Sequence, residues 1–150
     1  MKKLIFLISA ALLLSAYTLF AGPYETTVSK KINQAFSESF SGATNVKWYT
    51  DDNKTFTAKF TMSHTKVTAF FGSDGTLLAT SRYLKAEQLP LRVISKLNKR
   101  YPGNSIYCVV EYTAGENLVY FITLEGETTW TTVKSDALGK MEIYSHLTKA

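Results

Sequence analysis

Few residues of this 150-residue chain combine chemical reactivity with useful spacing. Two histidines, His64 and His146, and one cysteine, Cys108, are the candidates for a base, a nucleophile or a transition-metal ligand. A hydrolase needs a nucleophile beside a base, and neither a G-x-S-x-G elbow nor a Cys–His arrangement is present. His64 stands in a hairpin-turn sequence, Ser63-His64-Thr65, and His146 lies near the C-terminal edge. Without H-x-x-x-H or a cysteine pair, two histidines make a poor metal site. Asp51-Asp52-Asn53 lacks the further ligands and distal glutamate of an EF-hand and reads as a polar turn. Asp74-Gly75 reads the same way, its glycine permitting a positive φ. Cys108 has no partner for an internal disulfide, and its apolar alternating surroundings predict a buried, unreactive thiol. No catalytic residue, metal or cofactor is expected.

The residues that rise above background are aromatic, and the elements that would position them come from periodicity. Val28, Ile32, Ala35 and Phe36 predict a helix over about 24–39. Ile94, Leu97 and Tyr101 mark a second helix that starts near Leu89-Pro90 and stops at Tyr101-Pro102-Gly103. Four alternating segments follow each helix, at about 44–50, 54–62, 65–72 and 76–83, then 105–113, 117–124, 127–134 and 140–147. Short polar turns separate them, which is the mark of antiparallel neighbours. Residues 56–75 also align with 118–137: Phe56 falls on Leu118, Phe60 on Ile122, and Ser73-Asp74 on Ser135-Asp136. These matches predict an α+β fold, a tandem repeat of helix plus four-stranded antiparallel meander. The repeats span about 24–84 and 87–148, with both helices packed on one face of a continuous sheet.

Alternation assigns the two faces. Val46, Trp48, Phe56, Ala58, Phe60, Met62, Val67, Ala69, Phe71, Leu77 and Ala79 are expected in the core of the first half. In the second half the core is expected to hold Ile106, Cys108, Val110, Leu118, Tyr120, Ile122, Val133, Met141 and Ile143. The opposite face then carries Tyr49, Lys59, Phe70 and Arg82, followed by Tyr107, Val109, Val119, Phe121, Trp130, Tyr144 and His146. That face is unusually aromatic for a surface. It reads as cross-strand pairing of a wet sheet, as a homodimer contact, or as a set of anchors for a protein or peptide.

Composition bounds the class. A hydrophobic fraction of 45% and an aromatic fraction of 13% are those of a folded protein. The first residues pair Lys2 and Lys3 with an apolar run, Leu4 to Leu14, and smaller residues up to Ala21, the layout of a secretory signal peptide. Ser9, Ser15 and Thr18 interrupt the run, which suits a cleaved peptide better than a retained span. Cleavage after Ala21 would leave 22–150 as a single exported domain, periplasmic or secreted, without a stable membrane anchor. Removing 1–21 takes away two lysines and no acids, lowering the formal net charge from +5 to +3. Lys96, Lys99 and Arg100 cluster late in the second helix, where cations complement the helix dipole, so nucleic-acid binding is not expected.

A helix leading into F-x-G-A-x-x-V-x-W, then F-x-A-x-F, then A-x-F-x-x-D-G, resembles the PepSY-like family of exported Bacteroidetes proteins, also described as beta-lactamase-inhibitor-like. The matching residues are Phe40, Ala43, Val46, Trp48, Phe56, Ala58, Phe60, Ala69, Phe71, Asp74 and Gly75. Ser41 stands where the family usually has proline. The resemblance covers nearly all of residues 28–147 and implies two helix-plus-sheet units sharing one antiparallel sheet. It implies no contact residue. The expected function is an exported, non-enzymatic module binding a protein or peptide through Tyr49, Phe70, Arg82, Tyr107, Phe121, Trp130 and Tyr144. Inhibition of an extracytoplasmic hydrolase is one outcome of such binding. The alternative is a carrier with an apolar pocket between helices and sheet.

Overall fold

The computed structural model describes residues 22–150; the expected signal peptide lies outside the described residues. Nine strands form one antiparallel sheet whose spatial order is the chain order. They are β1 (Tyr24–Thr26), β2 (Thr44–Thr50), β3 (Thr55–Met62), β4 (Thr65–Gly72), β5 (Leu77–Leu84), β6 (Ser105–Ala114), β7 (Asn117–Glu125), β8 (Thr129–Asp136) and β9 (Met141–Thr148). Helix α1 (Lys30–Ser39) lies between β1 and β2 in sequence, and α2 (Leu91–Arg100) between β5 and β6.

This corrects the expected architecture. Residues 22–150 form one nine-stranded sheet carrying two ten-residue helices, not a tandem repeat of helix-plus-meander units. Two features make the sheet the framework. Strand β5 pairs with β6 from Thr80↔Thr113 to Leu84↔Val109, so no seam divides the strands. The start of the first expected helix is instead strand β1, paired with β2 from Tyr24↔Thr50 to Thr26↔Trp48. Helix α1 begins only after Ser29, whose side-chain oxygen accepts from the Ile32 N–H and fixes the N-terminus.

Both helices cover the same face. The rung Val67–Arg82–Glu111–Tyr120 runs across β4 to β7 in direct register, and directly opposed residues point to the same side. Val67 packs against the cluster under α1 and Tyr120 belongs to the cluster under α2. Beneath α1, Ile32 and Phe36 meet Trp48, Ala58, Phe60, Ala69 and Phe71. The Phe36 ring sits edge-on to Trp48 at 5.4 Å and to Phe60 at 5.0 Å. Beneath α2, Val93 and Leu97 meet Val109, Tyr120, Ile122, Leu124 and Val133. Gly75 and Gly139 both adopt positive φ, 84° and 79°, in the turns that face the two helices. A Cβ there would press on Lys31 or Lys96.

Four register breaks reset the alternation. Between Thr44 and Lys47 the pairing slips at Asn45, which has φ 54°, and Val46 is left exposed rather than in the core. In β5, Phe70 faces Ala79 but Phe71 faces Leu77, so Leu78 is extra. Ala79 therefore lies on the open face beside Phe70, and Leu77 is exposed. In β6, Ile106 faces Leu124 but Cys108 faces Thr123, leaving Tyr107 unopposed. In β9, Thr132 faces Ser145 but Val133 faces Ile143, leaving Tyr144 unopposed. Each extra residue flips the parity of everything beyond it. Val109, expected outside, is 1% exposed in the core, while Cys108 and Val110 turn to the open face. The thiol is half-buried there, not sealed in the core. Ile143 stays on the covered side but is exposed at the edge.

Candidate functional site

The open face of the sheet gathers four of the seven residues expected to bind a partner into two aromatic groups: Tyr107, Phe121, Trp130 and Tyr144, on β6 to β9. The Tyr107 ring meets Trp130 edge-on at 4.8 Å, and Tyr144 meets Phe121 edge-on at 5.0 Å. Tyr112 joins the second group at 6.4 Å from Phe121. Edge-to-face contact matches the positive rim of one ring to the negative face of the next. Both tyrosines that complete these contacts are bulge residues, and bulges re-aim side chains out of the ladder. Tyr107 is 68% exposed and Tyr144 66%, whereas Phe121 and Trp130 are half-buried beneath them.

The first-half residues are arranged differently. Tyr49 opposes Thr57 and Thr57 opposes Phe70, so both aromatics share the open face but sit two strands apart. The Lys59 ammonium lies over the Tyr49 ring, 5.1 Å from its centre. Arg82 is the correction: the break in β5 places it on the helix-covered face, opposite Val67 and Glu111. There its Nε donates to the Glu111 carboxylate at 2.7 Å. The bond favours the charged guanidinium, and burial pushes the neighbouring Tyr120 hydroxyl up from its ordinary range. His146 is likewise on the covered side, where its Nδ1 hydrogen-bonds Thr131 Oγ1 at 2.9 Å. His64 occupies the β3–β4 turn with φ 65°. Among the described residues no group of three His, Cys, Asp or Glu side chains is placed to hold a metal.

Three contributors escaped sequence reasoning. Tyr112 and Tyr83 share the open face with Phe121 through the register Tyr83↔Val110↔Phe121 and Tyr112↔Val119. Their parity was readable only with the Leu78 break in β5 and the Tyr107 bulge in β6 in hand. Lys149 closes the far end: it lies 4.8 Å over the Trp130 ring and donates to Glu125 at 2.8 Å. On the covered face a depression of about 340 Å³ opens beside the end of α1, bounded by Phe40, Met62, Val67 and the Arg82–Glu111 pair. An ion pair forms part of its lining, unlike the apolar pocket a hydrophobic cargo would need.

No family model and no curated protein matches the chain. Solved structures do match its fold. A BLIP-like protein from Bacteroides fragilis superposes with a TM-score of 0.71 at 17% identity, covering 83% of this chain and 90% of that one. A DUF2874 family protein from Bacteroides ovatus gives a TM-score of 0.70 at 16% identity, over 82% and 89% of the two chains. A protein from Bacteroides eggerthii, described provisionally as periplasmic, gives 0.69 at 12% identity, over 82% and 90%. The fold is thus that of BLIP-like and DUF2874 structures, an antiparallel sheet with short helices on one side. None of these carries the PepSY-like name. Among the described residues no helix is long and apolar enough to cross a membrane.

Proposed function

We propose that this protein is an exported, non-enzymatic module that binds a protein or peptide through the open face of its sheet. The observation that supports it best is the pair of bulge tyrosines. Tyr107 and Tyr144 are lifted out of the strand ladder and set edge-on to Trp130 and Phe121, instead of being folded into the core. Half-buried aromatic anchors with exposed aromatic neighbours are the composition of binding hot spots. A BLIP-like fold neighbour and a neighbour provisionally placed in the periplasm agree with an exported module, one of whose outcomes is inhibition of an extracytoplasmic hydrolase. Export itself rests on residues 1–21, and N-terminal sequencing of the mature protein should find a start near Gly22.

The deciding experiment is a pull-down from envelope extract with the wild type and Trp130→Ala, alongside a thermal melt of each. Loss of a captured protein by a Trp130→Ala variant that the melt shows to be still folded supports the reading. An identical capture profile from the folded variant removes it.

A further inference from the structure

The two ends of the open face differ in charge. On β6 to β9 the lysines are balanced: Lys134 meets Glu142 at 3.2 Å and Lys149 meets Glu125 at 2.8 Å. On β2 to β5 they are not. Lys47 and Lys59 are direct cross-strand partners, and Lys59 opposes Thr68, two residues along β4 from Lys66. Opposed side chains start about 5 Å apart and diagonal ones about 7–8 Å, so three like charges are held close at a cost to the fold. They ring a depression of about 380 Å³ lined by Asn45, Lys47, Tyr49, Lys59, Lys66 and Tyr83 among others, with no carboxylate in its lining. Internal compensation is weak. Glu25 reaches Lys47 from the rim at 3.4 Å with both side chains well exposed, which contributes little. Lys59 rests on Tyr49, and Lys66 makes no ion pair or side-chain hydrogen bond among the described residues.

Building on the reading of this face as a binding surface, we infer that its β2–β5 end selects an acidic segment of the partner polypeptide. In an extended chain, carboxylates two residues apart lie about 6.5–7 Å apart, which matches the diagonal lysine spacing. Tyr49 and Tyr83 supply flanking contact area. The neighbouring group of Tyr112, Phe121 and Tyr144 takes apolar side chains, which a polypeptide carries and a simple polyanion does not. Three cations also release only about three counterions, too few for tight nucleic-acid binding.

The test titrates the purified full-chain protein with fluorescent peptides of about ten residues alternating glutamate with leucine and tyrosine, a length that spans such a face. Controls are the same peptide with glutamine for glutamate, and heparin as a sulfated polymer. The glutamate peptide should bind at least ~10-fold tighter than the glutamine peptide at low salt, with the gap closing as salt screens it. Lys59→Gln with Lys66→Gln should abolish that preference, while Trp130→Ala should weaken both peptides alike. Equal binding of the two peptides would overturn acidic selection yet leave the binding face standing. Binding of neither peptide by the folded protein would overturn both. Heparin binding that depends on Lys59 and Lys66, without glutamate-peptide binding, would reassign the depression to an anionic glycan and overturn the inference.

Discussion

Tyr107 and Trp130 stand edge-on with their ring centres 4.8 Å apart, although Tyr107 has no cross-strand partner in the ladder. Strand β7 lies between their strands, with Glu125 paired to both Ser105 and Trp130. The contact is therefore made above the sheet, by a side chain that a bulge has released. Double-mutant analysis of Tyr107→Ala and Trp130→Ala should give a coupling of about 0.5–1.5 kcal/mol in urea melts. Strict additivity would show that the rings are neighbours without interacting. In a captured complex, Trp130→Ala should cost about 2 kcal/mol or more, well above its effect on the fold.

Trp48 sits at the opposite extreme, buried against Phe36 and Phe71. Its replacement by alanine removes a large ring from a packed cluster, and denaturant melts should register a loss of about 3–5 kcal/mol. A loss below about 1 kcal/mol would mean that α1 does not close over this face.

Val109 and Val110 are adjacent in sequence but belong to opposite faces. Val109→Ala should destabilise by about 2–3 kcal/mol and Val110→Ala by less than about 1 kcal/mol. The reverse order would place β6 in its unbulged register.

Acid should loosen two hairpin turns. Asp52 accepts from the Thr55 and Lys54 N–H groups at 2.8 Å each, and Asp74 from the Thr76 N–H at 2.9 Å and its hydroxyl at 2.8 Å. These bonds, led by the Thr55 and Thr76 amides, hold both carboxyls below their ordinary value. The folded state therefore binds fewer protons than the unfolded one. Its advantage is complete above the ordinary carboxylate range, near pH ~4, and fades as pH falls through the lowered values. Urea midpoints should drop on acidification, and Asp52→Asn with Asp74→Asn, which keep an acceptor oxygen but do not titrate, should flatten that drop. An unchanged acid limb in the double variant would show that these turns do not contribute to it.

The sequence was most legible where polar and apolar residues alternate strictly. Thr55-Phe56-Thr57-Ala58-Lys59-Phe60-Thr61-Met62 admits one register, and its apolar set lies on the helix-covered side as expected. Ile106-Tyr107-Cys108-Val109-Val110 is apolar on both parities, so a period of two could not say where the strand slips. The same blind spot hid the inward turn of Arg82 and His146, each beyond a break in its strand. The aromatic pairs were visible as residue types, but their contacts depend on the two bulges. The tandem reading failed for another reason. Local matches between segments do not determine whether β5 and β6 leave a seam, and here they do not.

Because every strand pairs with its immediate predecessor in the chain, the sheet has no pairing that must wait for a distant segment. A polypeptide emerging N-terminus first from a narrow exit can add β3 to β2, then β4 to β3, with each new edge covered as the next strand arrives. Loop-closure entropy stays low at every step, and the longest interval without a new strand is the stretch holding α2 between Leu84 and Ser105. Assembly can thus keep pace with delivery, and the growing edge exposes only one strand at a time.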